Sequence, residues 1–421
     1  MPKRRACMHE FYSPTKIIFG EGCASETAPR LREMGATKVL IVTGKSSTAS
    51  SEGFRDLCKG LDAAGIQWVH FAEVSADPET STVDKGAEVY RANDCNAIIG
   101  FGGGSPIDCA KGIAASIGEG RPIRDFVGTG LAFTKPVPPL VAIPTTAGTG
   151  TEVTNAAVFT IVDEHGHRSK KGTSSQFYFP RLAIVDPLLH MSMPPSLTAA
   201  TGMDALTHAI EAFVSRFHTP VSDMYCLEAV RRIGRSLRAA CRVGSDSGTG
   251  DGAFGAGRSL KASGSSSSGD RALLEARSDM ALAATLAGVG LSQAGLGMVH
   301  GFAHPVGAMA GLAHGLANAI LLPFVMEALI PDAGERLSAI GEALTGKRGT
   351  SAQDAVRDIA RLGRDIGIPE NLEAAGVPQR YFEDILADAL SYRRRKASPR
   401  AFTDDELRGL LARMYSGKVE T

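Results

Sequence analysis

The chain has 421 residues, 43% apolar and 21% charged, with Lys+Arg and Asp+Glu equal at 45 each. Two or three domains with a large core are expected from that length, and the balanced charge gives no reason to expect nucleic acid or an anionic membrane as a partner. No uninterrupted apolar run approaches the ~18–20 residues of a membrane helix, the basic start MPKRRACMHEFY lacks a signal peptide's apolar stretch, and seven scattered cysteines without a C-x-x-C read as reduced thiols, so a cytoplasmic location is expected.

The first ~190 residues alternate strand-like and helix-like patterns. KVLIVT at Lys38–Thr43 is β-branched and apolar, as in a buried strand. Further strands are expected at Gln67–Phe71, Ala97–Phe101, Leu140–Ile143, Phe159–Val162 and Leu182–Val185, with helices around Gly53–Ala64 and Thr82–Ala92. The run Asp163-Glu164-His165-Gly166 reads as a turn. Short strands alternating with helices predict a mostly parallel sheet covered on both faces. After Pro194-Pro195 the pattern becomes helical, with Ala- and Leu-rich faces. We therefore expect an α/β domain over 1–190 and an all-helical domain over 191–421, with a ligand cleft between them. Residues 244–269 are almost entirely Gly, Ser and Ala with a few charges, and read as a flexible surface insertion between two helices.

Two small-residue runs follow strands. The first, GFGGGS at Gly100–Ser105, has three consecutive glycines that let backbone N–H groups approach a pyrophosphate, and a helix N-terminus that adds partial positive charge. Ser105 is expected as the N-cap, Pro106 as the first helical residue and Asp108 as the capping-box partner. The run is not the Rossmann fingerprint, because Ser105 stands where the last glycine would be, and Gly44-Lys45-Ser46 lacks the rest of a P-loop. The second run, PTTAGTGTE from Pro144, offers hydroxyls and amides for ribose and the second phosphate at the end of another strand.

The ten histidines are unevenly spread: His300, His304 and His314 fall within fifteen residues, and Asp204 with His208 forms an i, i+4 pair on a helical face. One carboxylate and several imidazoles suit Fe²⁺, Zn²⁺, Mn²⁺ or Co²⁺, and the lack of a nearby thiolate argues against a structural zinc. Pro305 and Gly307 are expected to break the helix between His300 and His314.

GGGSPID at 102–108, PTTAGTGTEVT at 144–154, AIVDP at 183–187, GMDALTHAIEAFVS at 202–215, GLGMVHGFAHPVGA at 295–308 and AHGLANAILLP at 313–323 together resemble the iron-containing alcohol dehydrogenases, and FYSPTKIIFGEG at 11–22 resembles their N-terminal hairpin. The resemblance spans nearly the whole chain outside 244–269. It implies an NAD- or NADP-binding α/β domain and a helical domain holding Fe²⁺, with Zn²⁺ as the alternative. The metal ligands would be Asp204, His208, His300 and His314, and His304 would be a proton-transferring histidine. Cofactor contacts would fall on Gly103, Gly104, Ser105, Asp108, Thr145, Thr146, Thr149 and Lys170. A homodimer or larger homo-oligomer acting on a small alcohol or aldehyde is implied.

Two departures matter. Relatives that prefer NAD often carry Asp after the first strand, whereas this chain has Val42-Thr43-Gly44. Without that carboxylate a 2′-phosphate is not repelled, so Gly44 leads us to expect that NADPH is accepted. Near the C-terminus, Tyr392-Arg393-Arg394-Arg395-Lys396 puts Arg394 where relatives carry small or thiol residues. It reads either as a solvated basic turn or as a partner for an acidic group on the substrate. The expected reaction is hydride transfer between nicotinamide C4 and a small primary alcohol or aldehyde. A glycerol-dehydrogenase-like or dehydroquinate-synthase-like enzyme of the same superfamily remains open, as does a metal- or nucleotide-binding regulatory module.

Overall fold

The structure, a computed structural model, describes residues 9–45, 48–162, 168–242 and 268–419; the side chains of Arg393 and Arg394 lie outside the described set. In chain order the first part runs β1 (Lys16–Phe19), α1 (Thr27–Glu33), β2 (Lys38–Gly44), α2 (Glu52–Ala63), β3 (Gln67–Val74), α3 (Thr80–Ala92), β4 (Ala97–Gly102), α4 (Gly104–Glu119), β5 (Leu140–Pro144), β6 (Ala156–Val162), β7 (Arg168–Ser174) and β8 (Leu182–Val185).

Six strands form one sheet in the order β1-β8-β5-β4-β2-β3, parallel at every pairing. The period-2 alternation of side chains builds its two faces. Leu40 and Val42 point into one core with Ala87 of α3 and Ile113 of α4. Val39 and Ile41 point into the other with Leu31 of α1 and Leu57 and Leu61 of α2. Burial on both faces explains why these strands read as continuous apolar runs. Successive connections leave β2 on opposite sides, toward β3 and toward β4, so the strand order reverses there, where open α/β sheets bind ligands.

Several expectations are corrected here. Residues 11–22 form no hairpin: β1 is an edge strand parallel to β8, followed by a 3₁₀ turn over Cys23–Glu26. The N-cap of α4 is Gly103, not Ser105, and makes no side-chain cap. Ser105 Oγ accepts the Asp77 N–H at 3.2 Å, and Asp108 is used elsewhere, as described below. The strand expected at 159–162 starts at Ala156 and pairs with β7 in an antiparallel ribbon; β7 (RSKKGTS) has no apolar alternation to announce it. The turn expected at 163–166 lies outside the described residues, as does the insertion apart from Ser268 and Gly269, which belong to the next helix.

The rest is helical among the described residues: α5 (Pro195–Val214), α6 (Pro220–Ala240), α7 (Ser268–Ala294), α8 (Met298–Ala310), α9 (His314–Thr345), α10 (Ala352–Asp365), α11 (Phe382–Ser391) and α12 (Asp404–Ser416). Pro305 and Gly307 do not break α8, which runs through both and ends on Gly311 at φ +69. A proline inside a helix costs about 3 kcal/mol. Phe302, Ala303 and Val306, all fully buried, hold the segment helical against that cost. α9 has the length and hydropathy of a membrane span, but 67% of its most apolar window is buried inside the molecule. The helices reach the sheet through a very close approach at Gly150 (φ +61), where an added Cβ would meet Ala284 O at 2.6 Å. Gly288 faces it, and a Cβ there would meet Gly150 O at 2.5 Å.

Candidate metal and nucleotide site

A cleft of about 1050 Å³ lies between the carboxyl edge of the sheet and the helices. Gly104, Ser105, Asp108, Thr149 and Lys170 line one part of it, and Asp204, His208, His300, His304 and His314 line another.

The two small-residue runs meet through a contact that their spacing did not specify. The loops after β4 and β5 lie against each other: Thr145 N donates to Gly102 O at 2.9 Å. A Cβ on Gly104 would meet Thr149 Cγ2 at 2.7 Å, and one on Gly103 would meet Thr146 Oγ1 at 3.3 Å. Side chains at these positions would crowd the threonines that wall the cradle, so backbone N–H groups stay exposed at the start of α4. Gly103, Thr145 and Thr146 stand in these loops but not on the cleft lining. Gly44 ends β2 on the same edge, paired with Val74. Lys170, on β7, lines the cleft with its Nζ 2.6 Å from Asp77 Oδ2.

Both oxygens of Asp108 are occupied by protein donors, Thr151 Oγ1 at 2.6 Å and Val158 N at 2.9 Å. Beside it lies Lys111, a residue that the sequence reading passed over. Its fully buried ammonium donates to Thr151 Oγ1 and Ala156 O at 2.8 Å and to Thr154 O at 3.0 Å. Burial lowers the Lys111 pKa to about 8, while the charges of Asp108 and Glu152 pull it back up. This buried ion cluster pins the second loop to α4. Its sequence signal was a single lysine three residues after Asp108 on a largely apolar helix.

The metal candidates converge from three helices. α5 presents Asp204 and His208 one turn apart, α8 presents His300, and α9 begins with His314. One donor atom from each of the four lies within 4.8 Å of the others. Asp204 Oδ1 is 3.7 Å from His208 Nε2 and 3.9 Å from His314 Nε2. Bonds of ~2.1 Å put tetrahedral neighbours about 3.4 Å apart, so small side-chain shifts would close this set on a cation.

The donor chemistry fits a cation as well. Asn318, one turn after His314, puts its Nδ2 2.7 Å from Asp204 Oδ1, 3.1 Å from His300 Nε2 and 3.2 Å from His314 Nε2. An amide nitrogen has two hydrogens, so it cannot satisfy three acceptors, and the cluster holds more lone pairs than this amide has protons. Burial would raise the Asp204 carboxyl, but His208, His314, His300 and the Asn318 amide more than offset it and hold it below its ordinary value. Burial pushes His314 down, which keeps its imidazole neutral and able to donate a lone pair.

Glu211, also overlooked, completes the arrangement. It stands at i+7 from Asp204 and i+3 from His208 on the same face of α5. Its Oε2 is 2.7 Å from His300 Nδ1 and its Oε1 accepts the Val299 N–H at 2.6 Å. When ionised, the carboxylate accepts from Nδ1, which leaves the lone pair on His300 Nε2 facing the cluster. Burial pushes the Glu211 carboxyl up to about 7, against hydrogen bonds from Gly297 and Val299. The carboxylate three residues after His208 was a readable signal, but a glutamate on a helix is too common to single out.

His304 is not one of the four. Its ring stacks on His314 at 5.4 Å between centroids and meets His300 and Tyr392 edge-on, each at 5.8 Å. Arg394 lies in a 3₁₀ turn over Arg393–Ala397, and its side chain is outside the described residues.

A glycine-walled loop pair and a four-donor cluster sharing one cleft are what the class of metal-assisted, nucleotide-dependent enzymes needs. The model of the family "Iron-containing alcohol dehydrogenase" matches residues 14–187, and that of "Fe-containing alcohol dehydrogenase family, C-terminal" matches 198–260 and 260–415. Relatives agree across their length. A 1,3-propanediol dehydrogenase from Citrobacter freundii is 36% identical over 95% of this chain and 97% of its own. An NAD-dependent methanol dehydrogenase from Bacillus methanolicus is 33% identical over 95% and 98%. A crystal structure of 1,3-propanediol oxidoreductase superposes with a TM-score of 0.86 at 34% identity, covering 97% of this chain and all of the other. The chain belongs to the iron-containing alcohol dehydrogenase family, oxidoreductases acting on CH–OH groups.

Proposed function

We propose that this chain is a metal-dependent NAD(P) alcohol dehydrogenase and aldehyde reductase for small primary alcohols, with residues 1–190 serving the dinucleotide and 191–421 the metal. The convergence of Asp204, His208, His300 and His314 within 4.8 Å, in the cleft that also exposes the glycine cradle, carries this reading. The relatives named for 1,3-propanediol and methanol support the substrate class.

The four residues would hold Fe²⁺, with Zn²⁺ the alternative set by the same donors. When bound, the ion supplies a Lewis acid for the alcohol or carbonyl oxygen, and the nicotinamide supplies or accepts the hydride. The chain's own residues do the rest. Glu211 fixes the tautomer and orientation of His300. Gly103, Gly104, Ser105, Thr145, Thr146 and Thr149 cradle the pyrophosphate and ribose, while the Asp108–Thr151–Lys111 cluster keeps the two loops in register. Lys170, tethered by Asp77, brings a cation to the cleft. His304, beside His314 and lining the cleft, passes the proton between substrate and solvent. The absence of a carboxylate at Gly44 supports acceptance of NADPH as well as NADH.

The test is an anaerobic panel of small aldehydes with NADH and NADPH after loading with Fe²⁺ or Zn²⁺. Metal-dependent oxidation of the reduced cofactor with short neutral aldehydes is expected. No turnover with any metal and cofactor, in protein shown to bind the ion, would reject the proposal.

A further inference from the structure

A second cavity, of about 500 Å³, opens beside the cleft between the end of α5 and the 3₁₀ turn after α11. Arg216, Arg395, Lys396 and Arg400 line it, and none of its lining residues is acidic. Arg400 is already neutralised by Asp332 and Glu406. Arg216, Arg395 and Lys396 form no ion pair among the described residues, so three cations face one concave surface uncompensated.

A second observation comes from Ser398, which also lines this cavity. It is 3% exposed, and its Oγ has no hydrogen-bond partner among the described residues. Its backbone N–H is used by Arg395 O at 3.1 Å, and Arg216 N donates to Ala397 O at 2.9 Å, so the hydroxyl and the two arginines are held together by backbone bonds. That Oγ is itself closed off from solvent, so Ser398 serves the cavity through the backbone bonds that fix the cationic turn against Arg216. Arg216, Arg395 and Lys396 are exposed, and cations gathered around a concave surface attract an anion and raise its local concentration. Phe217 lines both this cavity and the catalytic cleft, so the two are separated by little more than a side chain.

We infer that this cavity is a binding site for an oxyanion group, phosphate or carboxylate, held by Arg216, Arg395 and Lys396. The group is either a free anion or the distal end of a substrate whose alcohol or aldehyde lies in the cleft. Only the second source rests on the dehydrogenase reading above.

The test uses the metal-loaded enzyme with NADH present, so that the glycine cradle is filled, titrated calorimetrically with inorganic phosphate at low ionic strength. One phosphate per chain is expected. The double variant Arg216→Gln/Arg395→Gln, which loses two charge-assisted bonds to the anion, should bind at least about a hundredfold more weakly. Arg216→Lys/Arg395→Lys, which keeps the charges, should retain most of the binding even if the glutamine pair fails to fold. Absence of phosphate binding by the wild type, or equal binding by folded glutamine and wild-type proteins, overturns the inference. Kinetics identify the source. If phosphate raises KM for an aldehyde ending in a carboxylate but not for a neutral aldehyde of equal length, the site takes the substrate's distal end. If it binds yet leaves both KM values unchanged, the site takes a free anion. An enzyme that binds phosphate but reduces no aldehyde removes the dehydrogenase reading and leaves the anion site standing.

Discussion

Replacing Glu211 with Gln isolates the contribution of one buried carboxylate to metal binding. The side chain is 4% exposed and accepts from His300 Nδ1 at 2.7 Å and from Val299 N at 2.6 Å. Glutamine keeps the shape but has one acceptor oxygen. If that oxygen keeps Val299, the amide N–H₂ faces His300 Nδ1 and favours the tautomer that carries its proton on Nε2, where the lone pair is needed. If it keeps His300, a buried Val299 N–H is left opposite another donor. Either way one charge-assisted hydrogen bond is lost, worth about 1.5–3 kcal/mol. With 1.36 kcal/mol per tenfold, this corresponds to about a 10–100-fold weaker metal, the range found when a residue orienting a ligand is removed. Anaerobic competition against a chelator at fixed pH gives the affinity without requiring turnover, and circular dichroism checks the fold. A metal affinity within twofold of wild type in a folded E211Q protein would refute the argument that this carboxylate sets the state of His300.

Three further outcomes are expected. Gly44 has ordinary backbone geometry, and an added Cβ would meet only Val74 O at 3.8 Å, so Gly44→Asp should fold normally and lower kcat/KM for NADPH by about tenfold or more while sparing NADH; unchanged NADPH kinetics would show that this strand end does not meet the 2′-phosphate. His304→Ala should retain the metal, because the four donors do not include it, and slow turnover by about 10²-fold or more through loss of proton transfer; loss of metal would instead make His304 a ligand. His190, with Nε2 donating to Pro144 O at 3.0 Å, is kept neutral by burial, its pKa lowered from 6.5 to about 4. The unfolded chain therefore binds the extra proton first, so stability present above pH 6.5 is lost as pH falls toward 4, by up to about 3 kcal/mol. His190→Gln should flatten that part of the stability–pH curve measured by denaturant unfolding, and an identical curve would remove His190 as its cause.

Much of the sheet was legible because its inner strands β2, β4, β5 and β8 are short, apolar and buried on both faces, and the glycine run and clustered histidines stood out because both are rare. Other features were misread for physical reasons. Ser105 has the composition of an N-cap, yet Gly103 takes that place and Ser105 Oγ serves Asp77. Pro305 has the composition of a helix breaker, yet a buried face carries α8 through it. β7 could not be read from its polar sequence, because its ladder with β6, not a buried apolar face, makes it a strand.

By itself, the order of residues determined which local segments could be strand, helix or phosphate loop, since periodicity and backbone freedom act over a few neighbours. Only the tertiary structure decided that Asp204 and His208 meet His300 and His314 across about a hundred positions, that Glu211 and Asn318 serve the same cluster, and that Lys111 pins the loop after β5 to α4. Such meetings depend on how α5, α8 and α9 pack, which is a sum over many distant contacts that no single segment encodes.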